Sequence, residues 1–372
     1  AADMGYGHQR AAFPLKDSAY LRIINVNDDE LVSESEKKAW KKIRGYYEWV
    51  SRMSSTPLIG GLLFKMYDRM QKIVPLYPFR DLSSPTYSLM VSRWYINRHK
   101  ILSNIIDEVR KTNYPVITTF PFIATALEMA KMKNKLYCVV TDYDINRVWA
   151  PLNPKKTKIT YLVPGQRAAL RLREYGVPDQ RIVPTGFPLP KENIGGKNCL
   201  TVRKDLGNRL PNLDPSKKYI DKYRSTINHV LGRGKLKEKS DHPLTVTYLV
   251  GGAGAQKETA NLILKSLAKK LKKKDLRLFL VAGTRREVYD YFVRKIKRLG
   301  LNHLIGRNIK IIYSENKFDY FSILNMQLRE TDIIWTKPSE MSFYTSLGLP
   351  VITTNPVGAH ESQNKAWLEH IG

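Results

Sequence analysis

The sequence predicts an α/β protein built from two Rossmann-like domains whose parallel sheets face a central cleft. Three observations carry this. The chain opens Ala2-Asp3-Met4-Gly5-Tyr6-Gly7-His8-Gln9-Arg10, a glycine-rich turn entering a helix. A second glycine cluster, Gly251-Gly252-Ala253-Gly254-Ala255-Gln256, follows the apolar run 244–250 half a chain later. Between and beyond them, strand-like and helix-like segments alternate. Glycine turns of this kind let backbone approach a phosphate or sugar, and the helix that follows aims its N-terminal amides at it.

The elements follow in order. Residues 21–26 read as a strand and 33–53 as a polar, aromatic-rich helix. Helical spacing at Ile101, Ile105 and Val109 predicts a helix over 95–111. Residues 115–119 form a strand, 124–132 a helix and 136–140 a buried strand. Short strands at 160–163 and 182–184 flank a helix at 166–175. This βαβ rhythm predicts a mostly parallel sheet. Composition then shifts. Residues 190–243 are rich in Lys, Gly, Asn and Asp and read as a linker with a basic insert, between a first domain at 1–189 and a second at 244–372. In the second domain, strands at 245–250, 276–282, 309–313, 332–335 and 350–353 alternate with helices at 257–273, 286–299, 318–329 and 340–347.

Composition narrows the class. A chain of 372 residues is long enough for two ordinary domains, and a hydrophobic fraction of 42% is that of a folded protein. No uncharged apolar run reaches the roughly 18 residues of a membrane span. The first residue is not methionine, and both ends read as truncated. Two cysteines, Cys138 and Cys199, make neither a disulfide framework nor a zinc site, which fits a reducing cytoplasm. The formal net charge is +28, with basic clusters at 217–239, 265–274 and 285–298. An anionic membrane surface and nucleic acid are the partners such a charge suits, and a merely solvated surface is the plain alternative. Residues 57–78 set Leu58, Ile59, Leu62, Leu63, Phe64 and Met66 beside Lys65, Arg69 and Lys72, with Tyr67, Tyr77 and Phe79 near. That is the make-up of a helix lying in a membrane interface, and a core helix is the other reading.

The ordered motifs resemble GT-B glycosyltransferases. They are closest to the group holding monogalactosyldiacylglycerol synthase, the processive diacylglycerol glucosyltransferases and the peptidoglycan N-acetylglucosaminyltransferase. The motifs are Gly5-x-Gly7-His8, Thr118-Thr119-Phe120-Pro121-Phe122, Val139-Val140-Thr141-Asp142-Tyr143 with Trp149, and Thr185-Gly186-x-Pro188. Further on come Gly251-Gly252-x-Gly254, Thr336-Lys337-Pro338-Ser339-Glu340, Gly348-Leu349-Pro350 and Pro356-Val357-Gly358-Ala359-His360-Glu361 with Asn364. They span nearly the whole chain. Two departures stand out. Phe120 occupies a place where the group often has histidine, with another histidine missing near Asn146. Residues 338–342 replace a Gly-Gly-Ala-Thr stretch.

The resemblance implies inverting transfer of a sugar from a nucleotide diphosphate donor, UDP first, to a lipid acceptor at the inner face of a membrane. The donor is a co-substrate and no cofactor is implied. Such a reaction needs a base, positive or dipolar groups for the leaving diphosphate, and contacts to the nucleoside and sugar. His8, in a glycine turn at a helix N-terminus, is the leading base, and helix capping is its plain reading. Asp142, at a strand end, either assists His8, acts as base itself or caps the next helix. Asp142-Tyr143-Asp144 mimics an Asp-x-Asp metal motif, but GT-B enzymes generally work without bound metal. Gly7, Gly251, Gly252, Gly254 and Gln256 are the phosphate-cradle candidates. Gly283 and Arg285 match a base contact, Lys337 a phosphate contact and Glu340 a ribose contact. His360, Glu361 and Asn364 fall where the group reads the donor sugar. His99, His229, His242, His303 and His370 show no ligand spacing.

Three rivals remain open. A nucleotide-sugar epimerase of the same architecture would leave the basic surface without purpose. A nucleic-acid-binding or DNA-glycosylating protein suits the charge but lacks a known binding module. A GT-B scaffold without activity would follow from the changed 338–342 stretch. Nothing in the sequence points to a protein partner.

Overall fold

A computed structural model describes residues 1–53, 73–251, 254, 256–338, 340–354 and 364–369, with side chains from 46 to 53 left aside. The chain divides into two compact units. The first comprises residues 1–188, 338–342 and 355–372, and the second residues 189–337 and 343–354.

In the first unit the glycine turn leads into α1 (Tyr6–Ala12). Then come α2 (Glu34–Met53), α3 (Tyr87–His99) and α4 (Ser103–Arg110). Strands β1 (Val116–Thr118), β2 (Leu136–Val139), β3 (Ile159–Val163) and β4 (Ile182–Pro184) lie side by side in chain order, all parallel. Helix α5 (Pro121–Met129) connects β1 to β2, and α6 (Gln166–Glu174) connects β3 to β4. The crossover from β2 to β3 is a long loop with two short 3₁₀ turns instead of a helix. Parallel strands are covered on both faces, so they read as apolar runs. Here Cys138, Tyr161 and Val163 are fully buried, packed with Trp40, Ile123 and Leu172 from the helices.

Two elements differ from the sequence expectation. Residues 21–26 form no regular strand, although Val26 N–H donates to the Ala1 carbonyl and Asp3 N–H to Asn27 Oδ1. The segment is therefore extended and tied to the chain start by isolated bonds. The helix expected over 95–111 is two helices. Lys100 and Leu102 adopt left-handed backbone angles (φ 46° and 68°), which break the α-helical ladder between Ile96 and Ile105. Helix α3 also begins earlier than its apolar spacing suggested, at Tyr87.

The second unit begins with four helices, α7 (Lys191–Ile194), α8 (Leu200–Leu213), α9 (Lys218–Lys222) and α10 (Arg224–Leu231). The expected linker is thus largely helical. Buried Arg209 of α8 anchors it, donating to the carbonyls of Thr331, Leu347 and Gly348. Strands β5 (Thr245–Leu249), β6 (Arg277–Gly283), β7 (Ile309–Tyr313), β8 (Ile333–Thr336) and β9 (Val351–Thr353) follow, all parallel, in the order β7-β6-β5-β8-β9. Helices α11 (Thr259–Lys272), α12 (Arg286–Arg298), α13 (Lys317–Leu328) and α14 (Met341–Ser346) link them. Helix α12 buries Val288, Phe292 and Ile296, four residues apart, which is the stripe a surface helix turns to its sheet. In α11, Ile263, Leu264 and Leu271 face inward while Lys265, Lys269, Lys270 and Lys272 stand in solvent.

The strand order reverses direction between β5 and β8. In open α/β sheets ligands bind beyond the carboxyl ends of the strands at such a switch point. Fold class therefore agrees with the sequence: mixed α/β, with two Rossmann-like units on parallel sheets.

Candidate active site

Six of the predicted donor residues gather in the second unit, past the ends of β5, β6 and β8. Gly251 follows β5. A Cβ added there would collide with Cε of Lys337 and lie 3.4 Å from its Nζ, so the lysine just past β8 lies against Gly251. Gly254 has φ +74°, a left-handed conformation that glycine adopts without cost, and its Cβ would meet Arg285 Cδ at 3.1 Å. Arg285 comes from just beyond Gly283, the last residue of β6, and its Nη1 lies 3.4 Å from Glu287. Gln256 closes the turn. Its carbonyl accepts from Tyr248 OH at 2.6 Å, and its side-chain oxygen from Thr354 Oγ1 at 2.6 Å. Burial pushes the Tyr248 phenol up to about 12, so it remains a donor at neutral pH. The turn thus has a lysine on one side and an arginine on the other, and α11 starts from it. Two cations beside a strand-to-helix turn at a switch point are groups that an anion site would draw on. Gly252 lies outside the described residues.

The second set of predicted residues lies in the first unit. His8 Nδ1 is 2.6 Å from the Thr119 carbonyl oxygen and 3.3 Å from Thr141 Oγ1. A carbonyl can only accept, so Nδ1 carries the proton and Nε2 is left as the basic nitrogen. Thr119 Oγ1 donates back to the His8 carbonyl at 2.7 Å, which fixes the turn against the end of β1. Phe120 packs edge-on to the imidazole with ring centroids 4.8 Å apart, and Trp149 lies 6.1 Å away. The place of the absent histidine is therefore held by a ring packed against His8.

Asp142 is half-buried in the loop after β2. Its neighbour Asp144 is committed elsewhere. Asp144 accepts from Arg167 Nε at 2.8 Å and from Arg171 Nε at 2.9 Å, and Arg171 also donates to Glu174 at 2.5 Å. Asp144, Arg171 and Glu174 are buried, so this ion network pins the Asp142 loop to α6. The second carboxylate of the Asp-x-Asp pattern is thus a structural anchor. No group of three or more His, Cys, Asp or Glu placed to hold a metal occurs among the described residues.

Glu340 groups with this first unit. Its Oε2 accepts from Arg10 Nε at 2.8 Å in a largely buried pair, and a Cβ on Gly7 would lie 4.0 Å from its Cγ. Asn364 is buried nearby in sequence contact with the same segment, donating to the Pro338 carbonyl at 2.9 Å. Trp367 stacks on Tyr143 at 4.0 Å. The changed 338–342 stretch is therefore tied to α1 by an ion pair. His360 and Glu361 lie outside the described residues.

Sequence reasoning missed the Thr119 carbonyl, Arg10 and the outward face of α3. On α3, Tyr87, Met90, Val91 and Trp94 are all exposed and recur at i, i+3, i+4 and i+7. Exposed Tyr77 and Phe79 pack together at 4.8 Å between centroids. Most of the expected interfacial segment 57–78 lies outside the described residues. No helix among the described residues is long and apolar enough to cross a membrane.

The described residues thus hold two parallel α/β units, one with a cation-flanked glycine turn and one with a tautomer-fixed histidine. A family model described as monogalactosyldiacylglycerol (MGDG) synthase matches residues 8–189. This match bears out the resemblance and supports a glycosyltransferase. A model described as a domain of unknown function (DUF6938) matches residues 219–305 and 302–372. No curated protein matches the chain. Among solved structures, UDP-GlcNAc 2-epimerase from Neisseria meningitidis bound to UDP-GlcNAc is similar at 14% identity and TM-score 0.37, covering 78% of this chain and 75% of that one. A glycosyltransferase from Rickettsia africae is similar at 16% identity and TM-score 0.31, over 88% and 85%. These likenesses are distant, and the fold stands on the sheet topology above.

Proposed function

We propose that the chain moves a sugar from a nucleotide diphosphate donor, UDP first, to an acceptor at an anionic membrane surface, most simply a lipid, with inversion. The observation that carries the donor half is the glycine turn at the β5/β8 switch point with Lys337 and Arg285 on its flanks. In the reaction, the acceptor oxygen forms a bond to the anomeric carbon as the bond from that carbon to the diphosphate breaks. The acceptor proton passes to His8 Nε2. The resulting imidazolium keeps its Nδ1–H on the Thr119 carbonyl, which stabilises the positive charge. Negative charge gathers on the leaving diphosphate, where Lys337, Arg285 and the turn amides offset it. Direct displacement in one step inverts the anomeric centre.

The membrane half rests on three features: the MGDG synthase match over 8–189, the net charge of +28 and the exposed apolar stripe of α3. Arg93, Arg98 and Lys100 lie on or beside that stripe and are exposed. An apolar stripe flanked by cations suits an anionic bilayer surface. By this reading the protein acts peripherally, at a cytoplasmic face.

Calorimetric titration with UDP and UDP-sugars, with and without anionic vesicles, tests the proposal. Micromolar UDP binding that weakens in Lys337→Ala supports the donor assignment. Sugar transfer into vesicle lipid supports the acceptor. UDP binding with only epimerised donor as product would sink the transfer reaction. Binding to duplex DNA in place of vesicles would sink the membrane acceptor.

A further inference from the structure

We propose that the first unit carries a second anion site, for a small organic ligand bearing at least two phosphate groups, at the end of its sheet opposite His8. A cavity of about 730 Å³ opens there between α3, α4, the last turns of α5 and the 151–156 loop. Its place follows from the hydrogen bonds. Glu128 on its wall accepts from Thr157 Oγ1 at 2.6 Å and from Lys158 N–H at 2.7 Å, the residues that lead into β3. His8, by contrast, is bonded past the finish of β1. The two sites are separated by the length of the strands, roughly 10–15 Å.

Five cations line the cavity: Arg93, Lys100, Arg110, Lys131 and Lys156. Two carboxylates oppose them. Glu128 is taken by the bonds just given, and Asp107 lies 3.5 Å from Arg110. Arg110 Nη2 also donates to the Ala130 carbonyl at 2.8 Å, which holds its guanidinium at the rim. The cations come from four separate stretches of chain. A single phosphate could not reach them all, whereas a ligand with spaced phosphates could.

Lys100 and Lys131 both have left-handed backbone angles, φ 46° and 52°, at positions just past the ends of α3 and α5. Glycine takes that conformation freely, and another side chain there is less favourable. Both positions nevertheless carry a cation on the cavity rim. Thr125 of α5 lies on the cavity lining and is 3% exposed. Ile96, Ile106 and Met129 supply apolar wall for the carbon part of the ligand. The volume is that of ordinary small-molecule sites.

The test uses the full chain and inorganic tripolyphosphate as probe, read by amide hydrogen exchange so that the site reports its own position. Tripolyphosphate is expected to slow exchange in 100–110 and 125–131, apart from any effect near 251–259. The double variant Lys100→Gly/Lys131→Gly removes two charges while giving each position the residue its backbone favours. Its melting temperature should stay level or rise, and the midpoint of protection should move at least tenfold higher in probe. No slowing in 100–110 and 125–131, slowing only near 251–259, or a midpoint shift under tenfold in the double variant would each overturn the site.

Discussion

The glycine turn of the second unit and the histidine turn of the first solve different problems with similar pieces. Both are glycine-rich, both open a helix, and both sit where parallel strands end. At Gly251 and Gly254, cations from two other strand ends, Lys337 and Arg285, come within reach of the missing Cβ atoms. At 5–8 the turn serves one side chain, whose proton position is set by a carbonyl from another strand. In the proposed reaction the first arrangement meets charge and the second moves a proton. Substitutions should therefore separate them, with loss of affinity at one and loss of turnover at the other.

The largest expected separation is at His8. His8→Ala should lower turnover about 10²–10⁴-fold, as removal of a general base does, and leave UDP affinity unchanged. Steady-state kinetics beside calorimetry reads both. Next is the anchor of the Asp142 loop. Asp144→Ala leaves the buried Arg171 guanidinium without its main partner and should cost the first unit about 3–5 kcal/mol in denaturant unfolding. Lys337→Ala should weaken UDP about 10–100-fold, the scale of a lost charged hydrogen bond. Gly254→Ala should destabilise by about 1–2 kcal/mol through its left-handed backbone and weaken UDP through contact with Arg285.

The smallest effect concerns Glu36. Burial pushes its carboxyl above the usual glutamate range, against the bonds from Leu102 N–H and Trp40 Nε1–H. A carboxyl raised in the folded state contributes stability that is fully present below its unfolded pKa and lost as pH rises through its folded value. Both bonds go to Oε1, which glutamine retains. Glu36→Gln should therefore melt higher than the parent at pH 7, and the gap should close as pH falls below the glutamate range. A gap that widens on acidification would contradict this.

The comparison also shows what a sequence can disclose. The turn at 251–256 is legible because the role proposed for it lies in its own backbone: glycines are the signal, and the strand before it is a plain apolar run. Gly283, Arg285 and Lys337 are legible as strand-end residues for the same reason. The chemistry at His8 is only half legible. The histidine is visible, but its proton is placed by the Thr119 main-chain carbonyl, and every residue type has one. The Arg10–Glu340 pair joins positions far apart in the chain, and no local pattern announces it. Arg209 is similar, since a lysine- and asparagine-rich stretch reads as a linker until one arginine is seen donating to three carbonyls of the second unit. The α3 stripe was open to view, because Tyr87, Met90, Val91 and Trp94 carry helical spacing. It is easily passed over when the stronger aliphatic spacing after Tyr95 is taken as the start of the helix.

The central claim is that a donor-binding turn and a proton-moving histidine are separate parts of one transferase. The most direct measurement is UDP titration of the parent, His8→Ala and Lys337→Ala proteins by calorimetry, with turnover of a UDP-sugar measured on the same samples. The account predicts parent-like UDP affinity with turnover nearly abolished in His8→Ala, and weakened UDP binding in Lys337→Ala. UDP binding lost in His8→Ala but intact in Lys337→Ala, or no UDP binding by the parent protein, would contradict it.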